Sequence, residues 1–496
     1  MADYDVAIIG AGNGGLTASL ALAKAGVKTL LLERHNIPGG CATSFKRGRF
    51  EFEVALHQLS GIGTEAFRGP LYNTFNDLDI LKDIELIQMD SLYRIVHPGK
   101  MDITLPADRN EIVRTLQEHF PNEAGNIKLF IDMVWDFCTQ WIHVEMMRDP
   151  EATPAKYPLY FKHTLKSTQE VIGQYLSDPL LQTAVNIYWS YMGLPPSQLA
   201  FRDFAIVFWA YGEMKPFHIK GGSQVLSNAL LNSYMEAGGD VRFNCGVEKI
   251  SIQGGAVSQI VTENGDEISV SAVVSNASAL TTYVDLIGAE HIPQSYLDVL
   301  GARNVGISGF TLFMGFDREP ADLGITQTTN FFATTDDAEK AFGLTKTLED
   351  PGFMLFSCYD VDDPDFSPPG TCQAAFLTLA YGEPWMSISP NQYSDIKYQY
   401  AERMLKTLYK IFPECKNHVE ELEVGSPLTH MQYLGHPGGA IYGFENRPKD
   451  SDLFMEKKSP IKGLFTAGSW SNTGGFQPTL MAGNSTAKAV IRSLKG

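Results

Sequence analysis

The sequence lacks the patterns that announce several common protein classes. Its six cysteines (Cys41, Cys138, Cys245, Cys358, Cys372 and Cys415) are scattered through 496 residues, with no CxxC pair and no clustering with histidine. That spacing excludes a disulfide framework and a zinc site, and it fits reduced, buried thiols. HExxH and a GxSxG elbow between strand and helix are both missing, so no metal is expected and hydrolysis is a poor reading. No apolar run reaches the ~18 residues of a membrane-spanning helix. The first strand-like run begins at Asp5, which leaves no room for a signal peptide; a cytoplasmic chain is expected, attached to a membrane at most peripherally. Positive charge is also scarce: 39 Lys and Arg against 57 Asp and Glu leave a net charge of -18. An acidic surface repels phosphate backbones, so no nucleic-acid partner is expected. Repeats of solenoid period and low-complexity tracts are absent.

What is present reads as an ordered globular protein, 44% hydrophobic and 19% charged. Its length exceeds what one core usually supports, so two domains are expected. The chain opens on Asp5-Val6-Ala7-Ile8-Ile9, an apolar run with β-branched residues, followed by GAGNGG from Gly10 to Gly15. Leu16, Leu20, Leu22 and Ala23 then recur at helical spacing up to Gly26, and Lys28 to Glu33 reads as a second strand. This is the order of a dinucleotide-binding βαβ unit. Gly10 permits the tight turn, Gly12 lets the backbone approach a pyrophosphate, and Gly15 lets helix and strand pack closely. A helix beginning near Asn13 directs free N–H groups at phosphate, and Glu33, 21 residues beyond Gly12, stands where a carboxylate meets a ribose diol.

Two distant segments extend the pattern. From Lys220 a glycine pair leads into an amphipathic helix. Strands are expected at Asp240–Cys245, Val247–Ile252 and Val257–Thr262, then a tight turn at Asn264-Gly265-Asp266 and an apolar run at Ala272–Val274. Near the C-terminus, Gly463 to Gly468 reads as a short strand, and Gly474 and Gly475 precede a helix expected near Pro478. Residues 100 to 215 carry helical periodicity with many aromatics.

Across nearly its whole length the chain resembles the flavin-dependent phytoene desaturase family, in particular the branch of carotenoid isomerases and retinol saturases. Four stretches carry the resemblance: GAGNGG with Glu33; NIPGGCATSFKRGRFEFEVALHQLSG with Gly39, Gly40, Phe50, Phe52, Glu53 and His57; GSPLTHMQYLGHPGGAIYGFE from Gly425 to Glu445; and GLFTAGSWSNTGGFQPTLMAGNSTAKAV from Gly463. It implies an α/β fold, with a Rossmann-like FAD-binding domain of the glutathione reductase and amine oxidase type and an inserted α+β substrate domain. It also implies FAD, in contact with Gly10, Gly12, Asn13, Gly14, Gly15, Glu33, Arg34, Gly39, Gly40, Val247, Gly468, Ser469, Gly475 and Phe476. The absence of a second GxGxxG independently argues against a separate nicotinamide domain. Two positions depart from the family: Ser469 stands where relatives commonly have an acid facing the ribityl chain, and Ala55 where they commonly have glycine.

The FAD domain is expected from residues 1–95, 216–285 and 425–496, and the substrate domain from 96–215 and 286–424. The stretch from Asn186 to Ile219, dense in Trp, Tyr, Phe and Met, reads either as core packing or as the wall of an apolar tunnel, to which Met192 and Met214 would lend adaptability. Glu53 and His57, four apart, and Tyr442 are the candidates for proton exchange beside the flavin, with a hydrogen-bonded structural histidine the other reading of His57. Arg47 and His430 are expected to serve structure or flavin binding, and Cys41 to be an inert thiol. The resemblance implies chemistry on a carbon–carbon double bond of an apolar polyene or isoprenoid-like substrate, by cis-trans isomerisation or saturation in preference to desaturation, with an external electron donor or acceptor. An amine-oxidase-like flavoenzyme and a noncatalytic flavin- or lipid-binding protein remain as alternatives.

Overall fold

The structure is a computed structural model that describes residues 2–450, 458–471 and 474–495. Two seven-stranded sheets organise it. The first has a parallel core in the order Leu464–Thr466, Glu267–Ser275, Tyr4–Ile9, Thr29–Leu32, Asp240–Arg242. Both faces of this core are covered, which is why its strands are continuous apolar runs. On one face Val6, Ile8, Leu31 and Val274 meet the helices Asn13–Lys24, Ser223–Glu236 and Phe476–Leu494 through Leu16, Leu20, Leu226, Leu230 and Leu480. On the other, Ala7, Ile9, Leu30 and Val273 pack with Val247, Ile250, Tyr283 and Leu300. The antiparallel strands Val247–Gln253 and Ala256–Thr262 join the first half of Glu267–Ser275 through the expected Asn264-Gly265-Asp266 turn, closed by Thr262 N–H to the Asp266 carbonyl at 3.0 Å.

The second sheet runs Val419–Gly425, Ser308–Phe316, Cys372–Ala380, Phe353–Cys358, Thr329–Ala333, Ser91–His97, Met101–Pro106, and only its Thr329–Ala333/Ser91–His97 pair is parallel. Phe310, Leu312, Met314 and Phe316 alternate onto one face, under the long helix Pro390–Ile411 through Tyr400, Met404 and Leu408. A helical layer that includes Ala124–Trp141 and Phe201–Met214 forms a separate apolar core with Tyr93, Phe331 and Leu355. No described helix is long and apolar enough to cross a membrane.

The chain crosses between these bodies at places other than those expected from sequence. A boundary at residue 95 falls inside Ser91–His97, which is held in the second sheet by pairing on both sides. A boundary at 285 falls too early, because Ile287, Ile292 and Leu300 are buried with Val247 and Ile250. The strand beginning at Asp240 ends at Arg242 rather than Cys245: Asn244 turns to a positive φ of 50°, and Asn244 and Cys245 donate instead to the carbonyls of His35 and Glu33. The last helix starts two residues early, at Phe476.

The first and last helices approach closely at Gly483, where a Cβ would overlap the Gly14 carbonyl oxygen and stand 2.9 Å from Thr17 Cβ. Gly483→Leu is therefore expected to cost about 1–3 kcal/mol or more and to loosen FAD, seen as a lower melting temperature with earlier release of flavin fluorescence.

Candidate functional site

Register brings the site together. Leu32 pairs with Ile9 and Arg242, Ile9 with Ser275, and Ser275 with Thr466, so five parallel strands end in one row. The loops that leave this row carry Gly10, Glu33, Asn276 and Gly468, and ligands bind at such carboxyl ends in α/β sheets. Gly10 N–H donates to the Leu32 carbonyl at 2.8 Å, and a Cβ on Gly15 would overlap the Gly10 carbonyl. The Asn276 side chain lies against both glycine turns: a Cβ on Gly12 would stand 2.8 Å from its Nδ2, one on Gly14 2.6 Å from its Oδ1, and one on Gly468 would overlap Oδ1. Gly39, at φ +125°, donates its N–H to the Ala11 carbonyl at 2.8 Å, and a Cβ on Gly40 would stand 3.2 Å from Gly12 Cα. Three glycine-bearing segments, Gly10–Gly15, Gly39–Gly40 and Gly468, thus form a cradle of bare backbone around the Asn276 amide.

This cradle fits FAD. The helix Asn13–Lys24 has no side-chain cap, leaving its first N–H groups for phosphate, and the buried Asn13 Oδ1 has no hydrogen-bond partner. Glu33 accepts from Ala11 N–H at 2.6 Å and His35 N–H at 2.7 Å, which orients its carboxylate and leaves further lone pairs for a diol. Ser469 follows Gly468 half-buried, and Gly475, at φ +117°, precedes a second helix without a side-chain cap, which Phe476 begins. Two expected residues contribute differently. Arg34 pairs its guanidinium with the exposed Glu263 at 3.2 Å. Val247 buries its side chain in the core, so only its backbone faces outward from the sheet.

Of the expected proton-transfer residues, Glu53 is reassigned by its contacts. Only 2% exposed, it accepts from Ser223 N–H (2.6 Å), Ser223 Oγ (2.7 Å), Leu56 N–H (3.0 Å) and Ala55 N–H (3.1 Å). A carboxylate spent on four donors at a helix N-terminus is a structural anchor. Nor does the four-residue spacing align it with His57, because the strand Phe50–Glu53 ends at Glu53 and the chain turns.

His57 and Tyr442 lie deep in the protein yet keep accessible surface, so they face an internal space. Burial lowers the His57 imidazole to about 4, and its Nδ1 stands 3.4 Å from the Tyr359 hydroxyl. Burial, then Tyr211 and Cys41, raises the Tyr442 phenol. The Tyr191 ring lies 6.3 Å from that of Tyr211, and burial, then Tyr211, Tyr442 and Tyr359, raises its phenol. Gln58 braces the group: its Nε2 donates to the Leu92 carbonyl at 2.5 Å, its Oε1 accepts from Tyr188, and its carbonyl accepts from Tyr211, both at 3.2 Å. Arg47 is an exposed partner of Glu423 at 2.8 Å, His430 bonds Ser308 Oγ at 3.0 Å, and burial pushes the Cys41 thiol up to about 11. Much of the Asn186–Ile219 stretch is core: Tyr188, Trp189, Phe201, Phe204, Phe208 and Met214 are buried, while Tyr191 and Met192 stay partly accessible.

Asn276, Gln58, Tyr191, Tyr211 and Tyr359 are the residues that sequence patterns missed. Asn276 had one signal, its place directly after an apolar strand; Tyr191 and Tyr211 lie inside the aromatic stretch from Asn186 and Gln58 inside the second family-like stretch, but spacing along the chain does not report which of their side chains converge with Tyr359. Among the described residues, no group of three or more His, Cys, Asp and Glu is placed to hold a metal ion.

Two measurements test this account. Glu53→Gln is expected to cost about 1–3 kcal/mol of stability while leaving turnover per FAD-loaded molecule unchanged, which parallel urea unfolding and kinetics would show. Burial lowers His57, His163 and His430 from 6.5 to about 4, with smaller contributions from Lys162 and Lys166 at His163 and from His436 at His430. The unfolded chain therefore takes up protons that the folded chain refuses, so their contribution to stability is full above pH 6.5 and is lost as pH falls toward 4. The urea midpoint is expected to fall through that window and to be insensitive to these groups above it.

Comparison with known proteins agrees with the geometry. The sequence pattern described as flavin containing amine oxidoreductase matches residues 14–491. The all-trans-retinol 13,14-reductase of Homo sapiens is 24% identical, covering 98% of this chain and 85% of its own. The chloroplastic prolycopene isomerase of Arabidopsis thaliana is 22% identical, covering 94% of this chain and 78% of its own. An oxidoreductase from Methanosarcina mazei shares the fold at TM-score 0.67 and 17% identity, over 98% of this chain and 100% of that one. Putrescine oxidase does so at TM-score 0.67 and 12% identity, over 99% of each. The cofactor is FAD, and the protein is an FAD-dependent oxidoreductase or isomerase. With nearly its whole length matched by one pattern and its glycine turns forming the cradle that pattern requires, the chain belongs to the flavin containing amine oxidoreductase family.

Proposed function

We propose that this enzyme acts on a carbon–carbon double bond of an apolar polyene or isoprenoid-like substrate, saturating or isomerising it. One observation carries the reading: the titratable groups buried in the interior, His57, Tyr191, Tyr211 and Tyr442, carry no charge at physiological pH, the phenols because they ionise only near pH 10 or above and His57 because burial lowers it to about 4. Glu53, the carboxylate nearest to them in sequence, is spent on four donors. An uncharged, aromatic wall suits a conjugated hydrocarbon better than an ammonium ion. The names of the retinol reductase and prolycopene isomerase relatives support the same class.

The backbone of Gly10, Gly12, Gly14 and Gly15, with the helix end at Asn13, would hold the FAD pyrophosphate. Glu33 would take the ribose diol, with Gly39 and Gly40 alongside, and Gly468, Ser469, Gly475 and Phe476 would flank the ribityl and ring end. When bound, FAD supplies hydride or electron-pair chemistry at its ring. Tyr442, a neutral phenol, would donate the proton that saturation requires on the second carbon. His57, neutral and held near the Tyr359 hydroxyl, would orient the substrate as a hydrogen-bonding but uncharged group. Saturation draws its electrons from an external donor. Peripheral contact with a membrane surface would deliver the substrate, and the exposed Met146, Met147, Phe161 and Leu165 support such contact.

The test is anaerobic: photoreduced holoenzyme is mixed with cis and trans polyenes and retinoids, and the products are weighed. A gain of two hydrogens identifies saturation, and unchanged mass with altered retention identifies isomerisation. No polyene product, together with peroxide formed from amines in air, overturns the reading. Tyr442→Phe is expected to slow saturation by about 10²-fold with FAD retention unchanged.

A further inference from the structure

A second polar site lies outside the cofactor cradle. A cavity of about 610 Å³ opens beside the segment that carries Tyr442, with Arg303, Lys346, Arg447, Tyr381, Glu383 and Ser387 among its lining residues. The two segments are fastened together: Val305 bridges Phe444, and Glu445 N–H donates to the Asn304 carbonyl at 3.0 Å.

Charge in this cavity is unbalanced. Glu445, 7% exposed, accepts from the Tyr381 hydroxyl at 2.5 Å, Arg447 Nε at 2.8 Å and Asn304 Nδ2 at 2.9 Å, so it and Arg447 neutralise each other. Arg303 and Lys346 have no such partner among the described residues. Arg303 stacks over Phe444 at 4.3 Å, and its buried Nε has no hydrogen-bond acceptor. Burial lowers its guanidinium from the ordinary value, with Asp450 and Tyr296 only partly offsetting. Lys346, exposed at the rim, stands over the rings of Phe342 at 4.7 Å and Tyr381 at 5.1 Å. Among the described residues the other lining carboxylate, Glu383, is solvent-exposed. A half-buried guanidinium with an idle N–H is costly unless an acceptor comes from outside the chain.

We propose that this cavity binds an organic phosphate, with the Arg303 guanidinium and the Lys346 ammonium holding the phosphate and the Tyr381 side of the cavity holding the organic body. Two cations without an ion-pair partner among the described residues match a group that carries about -1.5 to -2 charges at neutral pH, and a guanidinium fork matches phosphate oxygens. The volume falls within the range of small-molecule sites. The phosphate belongs either to a soluble molecule or to a lipid headgroup. Because the readout is binding, the proposal stands or falls independently of the reaction proposed above.

The experiment is calorimetric titration of FAD-loaded protein, in which the dinucleotide cradle is already filled, with inorganic pyrophosphate. Saturable binding is expected, weakened about tenfold or more in both Arg303→Met and Lys346→Met and unchanged in Lys488→Met, a distant exposed position. Arg303→Lys, which keeps the charge but loses the fork, should fall between, and it replaces Arg303→Met if that variant fails to load FAD. Sedimentation with phosphatidic acid vesicles, lost in Lys346→Met and absent with phosphatidylcholine alone, would place the phosphate on a lipid; pyrophosphate binding without sedimentation would place it on a soluble ligand. Absence of pyrophosphate binding, or binding that both Met variants leave intact, overturns the proposal.

Discussion

Alignment of five parallel strand ends is the constraint on which the rest of this molecule depends. Ile9, Leu32, Arg242, Ser275 and Thr466 stand in one row, although three distant stretches of the chain supply them. Hydrogen-bond register sets that row, and it delivers four loops to the same edge. Those loops approach so closely that side chains are excluded at Gly12, Gly14, Gly15, Gly39 and Gly468. The Asn276 amide is admitted there and lies against both turns.

Charge is distributed by the same economy. Carboxylates near the centre are used to hold the backbone: Glu33 orders the turn after the second strand, and Glu53 starts the helix Ser223–Glu236 while tying down Ala55 and Leu56. What remains facing the interior is phenol and imidazole. Phenols are uncharged at neutral pH in any case, and the low polarisability of the surroundings penalises the imidazolium form of His57. Two cations without an ion-pair partner among the described residues stand instead at the outer seam, Arg303 and Lys346.

The βαβ unit, the Asn264-Gly265-Asp266 hairpin and the glycine pairs were legible from sequence because each rests on local chemistry: apolar strands covered on both faces, turns that need positive φ, and helix ends that need anions, whereas FAD as the nucleotide came from the family resemblance. Boundaries were less legible. Whether residue 95 or residue 292 belongs to one body or the other depends on which sheet or core receives its side chain, and both offer apolar surfaces. Glu53 and His57 look like a pair in the sequence, yet a chain turn after Glu53 separates their roles, and the partner that His57 meets, Tyr359, is remote in the chain.

The sequence by itself therefore determined the cofactor's binding chemistry and the class of fold, since these follow from residue types at short, fixed spacings. Tertiary structure alone decided which titratable groups share the interior, which carboxylate is spent on backbone donors, and which cations are left without a partner. Those outcomes depend on burial and on long-range convergence, and neither is a property of any segment considered alone.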